Sequence, residues 1–310
     1  MNAYCFLQEY FPASDTSACT DMHVHTTASD GTYSPAEVVR LAHQKGLTSL
    51  AITDHDTVQG IEEAISEGKR CGVEVIPGVE LSIDRTEKKD EVHLLGYYID
   101  TSNPALQYML KRHLQSRLNR NPKIIDLLRA EGIDITYNEV EEEAGSSVVG
   151  RPHIARVLVR KGYVSTVAEA FEKYLGRGKK AYVPREKFEL RSAAGAIIAA
   201  GGVPVLAHPY SIRGGMLENE EDKRIFNREV QEACLAGIKG IEVLYPEHNP
   251  IQMEHFFKVA RELKLLITGG SDFHGLNKPH IHLGTINEEI RSIPHQLVLQ
   301  IKKASSSITR

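Results

Sequence analysis

Residues 47–83 read LTSLAITDHDTVQGIEEAISEGKRCGVEVIPGVELSI. LTSLAIT (47–53) is a continuous β-prone run. GIEEAISEGKRCG (60–72) places apolar residues at helical spacing and ends on glycine. VEVIPGVELSI (73–83) returns to strand. A strand, a helix and a second strand in this order set up a mainly parallel sheet or barrel. Working outward, DMHVH (21–25) is short and alternating. SPAEVVRLAHQKG (34–46) has Ser34 as N-cap, Pro35 at the first helical position, Glu37 closing a capping box and Gly46 as its stop. EVHLLGYYI (91–99) is another strand. The alternation returns late: helices over 189–202, 227–237 and 249–264, and strands over 203–209, 238–246 and 265–274.

The middle of the chain breaks this rhythm. PALQYMLKRHLQSRLNR (104–120), PKIIDLLRAEG (122–132), NEVEEEAG (138–145), RPHIARVLVRKG (151–162) and TVAEAFEKYLG (166–176) all have helical period. The expected division is an N-terminal extension over 1–19, a βα barrel over 20–100 and 186–310, and a helical insertion over 101–185. The insertion carries 15 Lys/Arg against 9 Asp/Glu, while the whole chain of 310 residues has a net charge of -4. A basic module on an acidic scaffold suits an anionic substrate held between them, although most such charges serve as solvated helix faces.

Composition narrows the rest. Apolar residues make up 41% and charged residues 25%, which is ordinary for a globular fold. The longest apolar stretch, residues 193–207, is interrupted by glycines and Pro204 and is too short for a bilayer. The first residues lack a basic leader pattern. The four cysteines lie far apart, which argues against a disulfide framework or thiolate zinc site and for a cytoplasmic setting. The 14 histidines are the unusual feature.

His23 and His25 stand at i and i+2, so a strand would aim both at one face. Asp30 follows that strand, His55 ends the next, and Glu80 and His93 lie on the third and fourth. His208 ends a later strand, and Asp272 and His274 repeat the i, i+2 spacing. Six imidazoles and three carboxylates thus fall near the C-terminal ends of strands, the edge at which βα barrels assemble active sites. Nitrogen and oxygen donors without thiolate favour zinc, manganese, iron or cobalt. Nine donors exceed one ion's needs and suffice for two or three if a carboxylate bridges, with Glu80 the expected bridge. Clustered divalent ions are the equipment of phosphoryl transfer to water.

The successive stretches DMHVHTTASDGTYSP, AITDHDTVQGIEEA, VIPGVELS, VHLLGYYI, LAHP and GGSDFHG resemble the motifs of the PHP (polymerase and histidinol phosphatase) family. The resemblance implies a distorted (β/α)7 TIM-like barrel and a di- or trinuclear centre of manganese, zinc or iron. It implies one ion on His23, His25, Glu80 and Asp272, a second on Glu80, His93 and His208, and a third on Asp30, His55 and His274. The insertion, with Arg117, Arg120, GRPH and GRGKK, is similar to the branch containing 3′,5′-nucleotide bisphosphate phosphatases and 5′-to-3′ exoribonucleases.

The resulting expectation is a phosphoesterase that removes the 3′-phosphate of nucleoside 3′,5′-bisphosphates, with short RNA as a further substrate. A hydroxide bridging two ions and held by Glu80, Asp272 and His208 attacks phosphorus, and His248 is the candidate proton donor. Arg117 and Arg120, three apart on one helix face, would fork onto phosphate oxygens. Arg151 and His153 sit at a helix start, which favours anions. Arg177 and Lys179 lie in a glycine-bracketed basic loop. Neither a membrane nor an obligatory protein partner is expected. The competing readings are histidinol phosphate hydrolysis, an amidase, and a non-catalytic metal-binding module attached to a polymerase.

Overall fold

The computed structural model describes residues 19–83, 92–145, 149–184 and 188–308. The expected N-terminal extension lies outside these up to residue 18, as does the expected 185/186 border of the insertion. Strands β1 (Cys19–Asp21), β2 (Leu47–Ile52) and β3 (Glu74–Ile83) pair in parallel, joined by helices α1 (Pro35–Gln44) and α2 (Ile61–Cys71). Strand β4 (Val92–Tyr97) runs antiparallel to β3 and to β5 (Val203–Leu206). Parallel pairing resumes through β6 (Gly240–Leu244) and β7 (Leu266–Gly269). A two-residue β8 (Ile293–Pro294) pairs with β1, giving the order β7-β6-β5-β4-β3-β2-β1-β8.

The sheet then bends round on itself. Val24 bridges Phe273, Met22 N–H donates to Gly269 O at 3.3 Å, and His25 N–H donates to Phe273 O at 2.9 Å. The fold is therefore a nearly closed, distorted βα barrel in which β4 is inverted within the run from β1 to β7 and β8 is antiparallel to β1. The DMHVH segment is less of a strand than its alternation suggests. β1 ends at Asp21, and His23 and His25 flank a single bridge at the closing seam. Gly270 makes that seam possible, because a Cβ there would lie 2.3 Å from His23 Cβ.

Helices α7 (Leu190–Ala199), α8 (Glu220–Ala236), α9 (Pro250–Glu262) and α10 (Gln296–Ile308) complete the outer layer together with α1 and α2. The alternation of apolar residues did not single out α10. The capping box expected at Ser34 is present, with Glu37 N–H donating to Ser34 Oγ and Ser34 N–H to Glu37 Oε2. One core runs from Met22 and Leu50 through Leu94 and Ile241 to Val298. Each such aliphatic side chain contributes about 1.5–3 kcal/mol when taken out of water.

The middle segment builds a second core from Ile124, Leu128, Ile135, Val140, Ile154, Val157, Leu158 and neighbours. Helices α4 (Tyr137–Ala144), α5 (Arg151–Arg160) and α6 (Val167–Ala170), the last running into a π-helical turn over Phe171–Leu175, enclose it. The two helices expected over 104–120 and 122–132 are one, α3 (Pro104–Ala130), with Pro122 inside it. An interior proline costs about 3 kcal/mol through a lost hydrogen bond and a clash. The helix persists because both halves are anchored: Leu106 and Leu110 belong to the barrel core, and Ile124, Ile125 and Leu128 to the second core. Asn121 Nδ2 adds a bond to Val149 O at 2.8 Å.

Candidate metal centre

Glu80 is buried within the second half of β3, and its two oxygens meet five imidazoles. Oε2 lies 3.2 Å from His23 Nε2, 3.1 Å from His25 Nε2 and 3.0 Å from His55 Nδ1. Oε1 lies 2.8 Å from His93 Nδ1 and 3.0 Å from His208 Nε2. Asp272 Oδ1 closes the first group, 3.4 Å from His23 Nε2 and 3.1 Å from His25 Nε2. On the far side of His25, His274 Nε2 lies 3.3 Å from Asp30 Oδ1 and the two rings stack at 4.1 Å. All nine side chains named from the sequence are thus brought together.

Their donor atoms form three overlapping groups: His23, His25, Glu80 and Asp272; His55, Glu80 and His93; and His25, Asp30, His55 and His274. His208 joins the middle group through Glu80 and a 3.2 Å contact with His93. His25 and His55 each face two groups, a sharing that chain order did not suggest.

The residues fit metal ions on an observation independent of resemblance. His23 Nε2, both nitrogens of His25, His55 Nδ1 and Glu80 Oε2 are buried without a hydrogen-bond partner. Each such orphan costs about 1–3 kcal/mol, and lone pairs converging on shared space are what a cation would use. Burial alone would raise the carboxyls of Glu80, Asp272 and Asp30, but the surrounding histidines hold all three well below the usual range. Burial pushes His55 down to about 3, despite Glu80 and Asp30. Burial also opposes charge on His25, yet the carboxylates of Asp272 and Glu80, each 3.1 Å from its Nε2, carry it up to about 9.

A supporting layer of acids escaped the sequence reading. Glu242 Oε1 takes His23 Nδ1 at 3.0 Å, and its Oε2 accepts His208 N–H at 2.8 Å. This bond directs His23 Nε2 into the cluster. Asp54 accepts from Thr26 N–H, Thr26 Oγ1 and Ser29 Oγ at 2.7, 2.7 and 2.6 Å, and so shapes the loop leading to Asp30. Asp21 accepts from Ser271 N–H and Oγ at 2.9 and 2.6 Å, next to Asp272. The available signal was an acid in an apolar strand, such as Glu242 in GIEVL. Asp56, His208 and Asp272 adopt left-handed backbone, with φ of 55°, 26° and 55°. Such strain costs about 1–3 kcal/mol per residue and collects at functional sites.

The expected substrate residues divide. Arg117 and Arg120 turn to different partners. Arg117 Nη2 is 2.6 Å from Asp56 Oδ2, directly after His55, whereas Arg120 Nε and Nη2 bond Asn121 Oδ1 at 3.2 and 3.0 Å. A cavity of about 200 Å³ bounded by His55, Asp56, Gln59, Lys111 and Arg117 opens beside the cluster. Arg151 serves its own module, donating from Nη1 to Leu175 O at 3.0 Å and lying over the rings of Phe171 and Tyr182. His153 caps α5, its Nδ1 accepting Gly150 N–H at 3.0 Å. Burial lowers His153 to about 4, and the charges of Arg156, Asp30, Glu143 and Arg117 all reach its ring. Arg177 and Lys179 lie on an exposed turn.

His248 is not built as a proton donor. Its Nδ1 is 2.9 Å from Val243 O, its Nε2 is buried without a partner, and burial lowers it to about 3. With the ring proton on Val243 O, Nε2 has none to give at neutral pH.

The PHP domain model matches residues 21–183. A 5′-3′ exoribonuclease of Haemophilus influenzae is 36% identical over 254 residues, covering 82% of this chain and 89% of its own. A 3′,5′-nucleoside bisphosphate phosphatase of Chromobacterium violaceum is 34% identical over 255 residues, covering 82% and 86%. A solved structure from Bifidobacterium adolescentis, assigned as a metal-dependent phosphoesterase, superposes with a TM-score of 0.79 at 30% identity, covering 94% and 98%.

Proposed function

The chain belongs to the PHP family, and we propose that it is a metal-dependent phosphatase removing the 3′-phosphate of nucleoside 3′,5′-bisphosphates. The observation that carries this reading is Glu80, whose two buried oxygens are shared among five imidazoles beside a cavity walled by a buried arginine. The nine side chains above would hold two or three divalent ions of manganese, zinc or iron, which when bound would lower the pKa of water and offset charge on phosphoryl oxygens.

The chain's own residues do the rest. Glu242 sets the tautomer of His23. Asp54 and Asp21 hold the loops that present Asp30 and Asp272. Arg117, fixed by Asp56, brings a positive charge to the edge of the cluster, and the start of α5 lies close by: a Cβ on Gly150 would sit 3.9 Å from Arg117 Nη1. These groups bind the second phosphate, and a remote phosphate so held orients the scissile one.

A second reading, trimming of short RNA from a 5′-phosphorylated end, is favoured by the exoribonuclease relative and by a basic cavity of about 330 Å³ along α3, bounded by Arg112, Asn119, Arg120 and Lys123. The test is phosphate release from a nucleoside 3′,5′-bisphosphate, the matching 3′- and 5′-monophosphates and a 5′-phosphorylated oligoribonucleotide. The bisphosphate is expected to give the highest kcat/KM. Equal turnover of the monophosphates would refute the substrate assignment.

A further inference from the structure

Asp272 is divided between two tasks. Its Oδ1 faces His23, His25 and His274 at 3.4, 3.1 and 3.4 Å. Its Oδ2 has other partners: it accepts Tyr245 OH at 2.9 Å and Lys278 Nζ at 2.5 Å. An ammonium has three donors, and among the described residues Asp272 Oδ2 accepts one of those of Lys278 Nζ, at 2.5 Å. The Lys278 side chain is 33% exposed, so it stands at the mouth of the cluster and is not sealed beneath it. The charges of Glu80 and Asp30 act on it as well as that of Asp272.

The amine is held there by construction. The short 3-10 turn Gly275–Asn277 is bonded to the Asp30 loop: Leu276 N–H donates to Thr32 Oγ1 at 2.9 Å and Asn277 Nδ2 to Asp30 O at 2.5 Å. Gly275 has φ +63°, and a Cβ there would lie 2.2 Å from Thr32 Oγ1. Arg156 of α5 reaches Asn277 Oδ1 at 3.2 Å from the other side.

We propose that Lys278 is a catalytic residue whose ammonium binds an oxygen of the scissile phosphoryl group. The inference rests on the phosphoesterase reading. If the task were only to hold Asp272, the neutral Tyr245 hydroxyl already does it. A cation beside a cluster of divalent ions is repelled by them, and an entering phosphate is the anion that offsets this repulsion. Two of its three N–H donors remain for that anion once Asp272 has taken the first.

The experiment compares metal-loaded wild type with Lys278→Met, Lys278→Arg and Tyr245→Phe. It measures ion content by elemental analysis, inorganic phosphate affinity by calorimetry, and kcat and KM on the best ester. Lys278→Met is expected to retain wild-type ion content and to bind phosphate about 10- to 100-fold more weakly, as suits loss of a charge-assisted hydrogen bond. Lys278→Arg should restore part of that affinity, and Tyr245→Phe, which keeps the cation, should weaken phosphate binding less than Lys278→Met at equal ion content. Wild-type phosphate affinity in Lys278→Met overturns the proposal. So does a loss of ions in step with phosphate affinity in both Lys278 variants, which would make the lysine a support for Asp272. A wild-type protein that cleaves no phosphate ester overturns the phosphoesterase reading itself. An active wild type matched by Lys278→Met sinks this inference alone.

Discussion

The two charged regions of the molecule use their charges in opposite ways. Around Glu80, nine side chains from distant points of the chain turn their polar atoms inward and leave several without partners. In the helical module, cations spend themselves on neighbours: Arg151 on Leu175, Arg120 on Asn121, Arg156 on Glu143 at 2.8 Å, and Lys161 on Glu139 at 2.7 Å. Arg117 and Arg156 also cross between the regions, to Asp56 and Asn277. The difference shows that an excess of positive charge in a segment locates neither a site nor a ligand. Unsatisfied donors and acceptors in a dry place do.

The sharpest way to break this contrast is Glu80→Gln. It removes the charge common to all five imidazoles and should abolish retention of at least one ion. Activity should fall about 10³-fold or more, given the several kcal/mol that bound metals supply to the transition state. Ion analysis with a phosphatase assay checks it, and retained ions with full activity would refute the bridging role. Next in size, Arg117→Met leaves Asp56 buried without its cation. The expected cost is about 3–5 kcal/mol of stability, read by urea unfolding, together with a selective loss of activity on bisphosphates relative to monophosphates. Glu242→Gln keeps the shape but weakens the hold on His23, and ion affinity should drop about 10- to 100-fold.

His153 gives a smaller and pH-dependent effect. Its folded pKa of about 4 lies below the unfolded value near 6.5. Between those values the unfolded chain carries a proton that the folded chain refuses, so stability falls as pH drops, by up to about 1.4 kcal/mol per unit. Denaturation of His153→Gln at pH 7 and pH 5 should show a flatter dependence than wild type, and an identical slope would exclude the buried neutral ring. The smallest effect belongs to Arg151→Ala. About 1 kcal/mol of stability should go with its bond to Leu175, while kcat/KM stays within about 2-fold. A large catalytic loss would overturn the division between the two regions.

How much of this was legible follows from side-chain length and context. A histidine or aspartate at a strand end lies near the mouth of the barrel, so the motifs from His23 to His274 carried most of the cluster. A long arginine on a helix reaches many partners, and spacing could not tell that Arg117 would find Asp56 while Arg120 would turn to Asn121. Asp21, Asp54 and Glu242 stayed hidden because an acid in a strand looks the same whether it meets solvent or a buried imidazole. Lys278 lies in a loop with no periodicity to mark it. The expectation of a break before Pro122 followed local propensity, and tertiary anchoring at both ends of α3 overrode it.

That anchoring makes the module and the barrel inseparable in practice. Cutting the chain at residues 101 and 185 to isolate the module would strip the barrel of Leu106 and Leu110 and remove the arginine that steadies the turn after His55. Neither fragment would be a fair stand-in for half the protein. A truncation meant to ask what the module contributes must leave the first four turns of that shared rod in place.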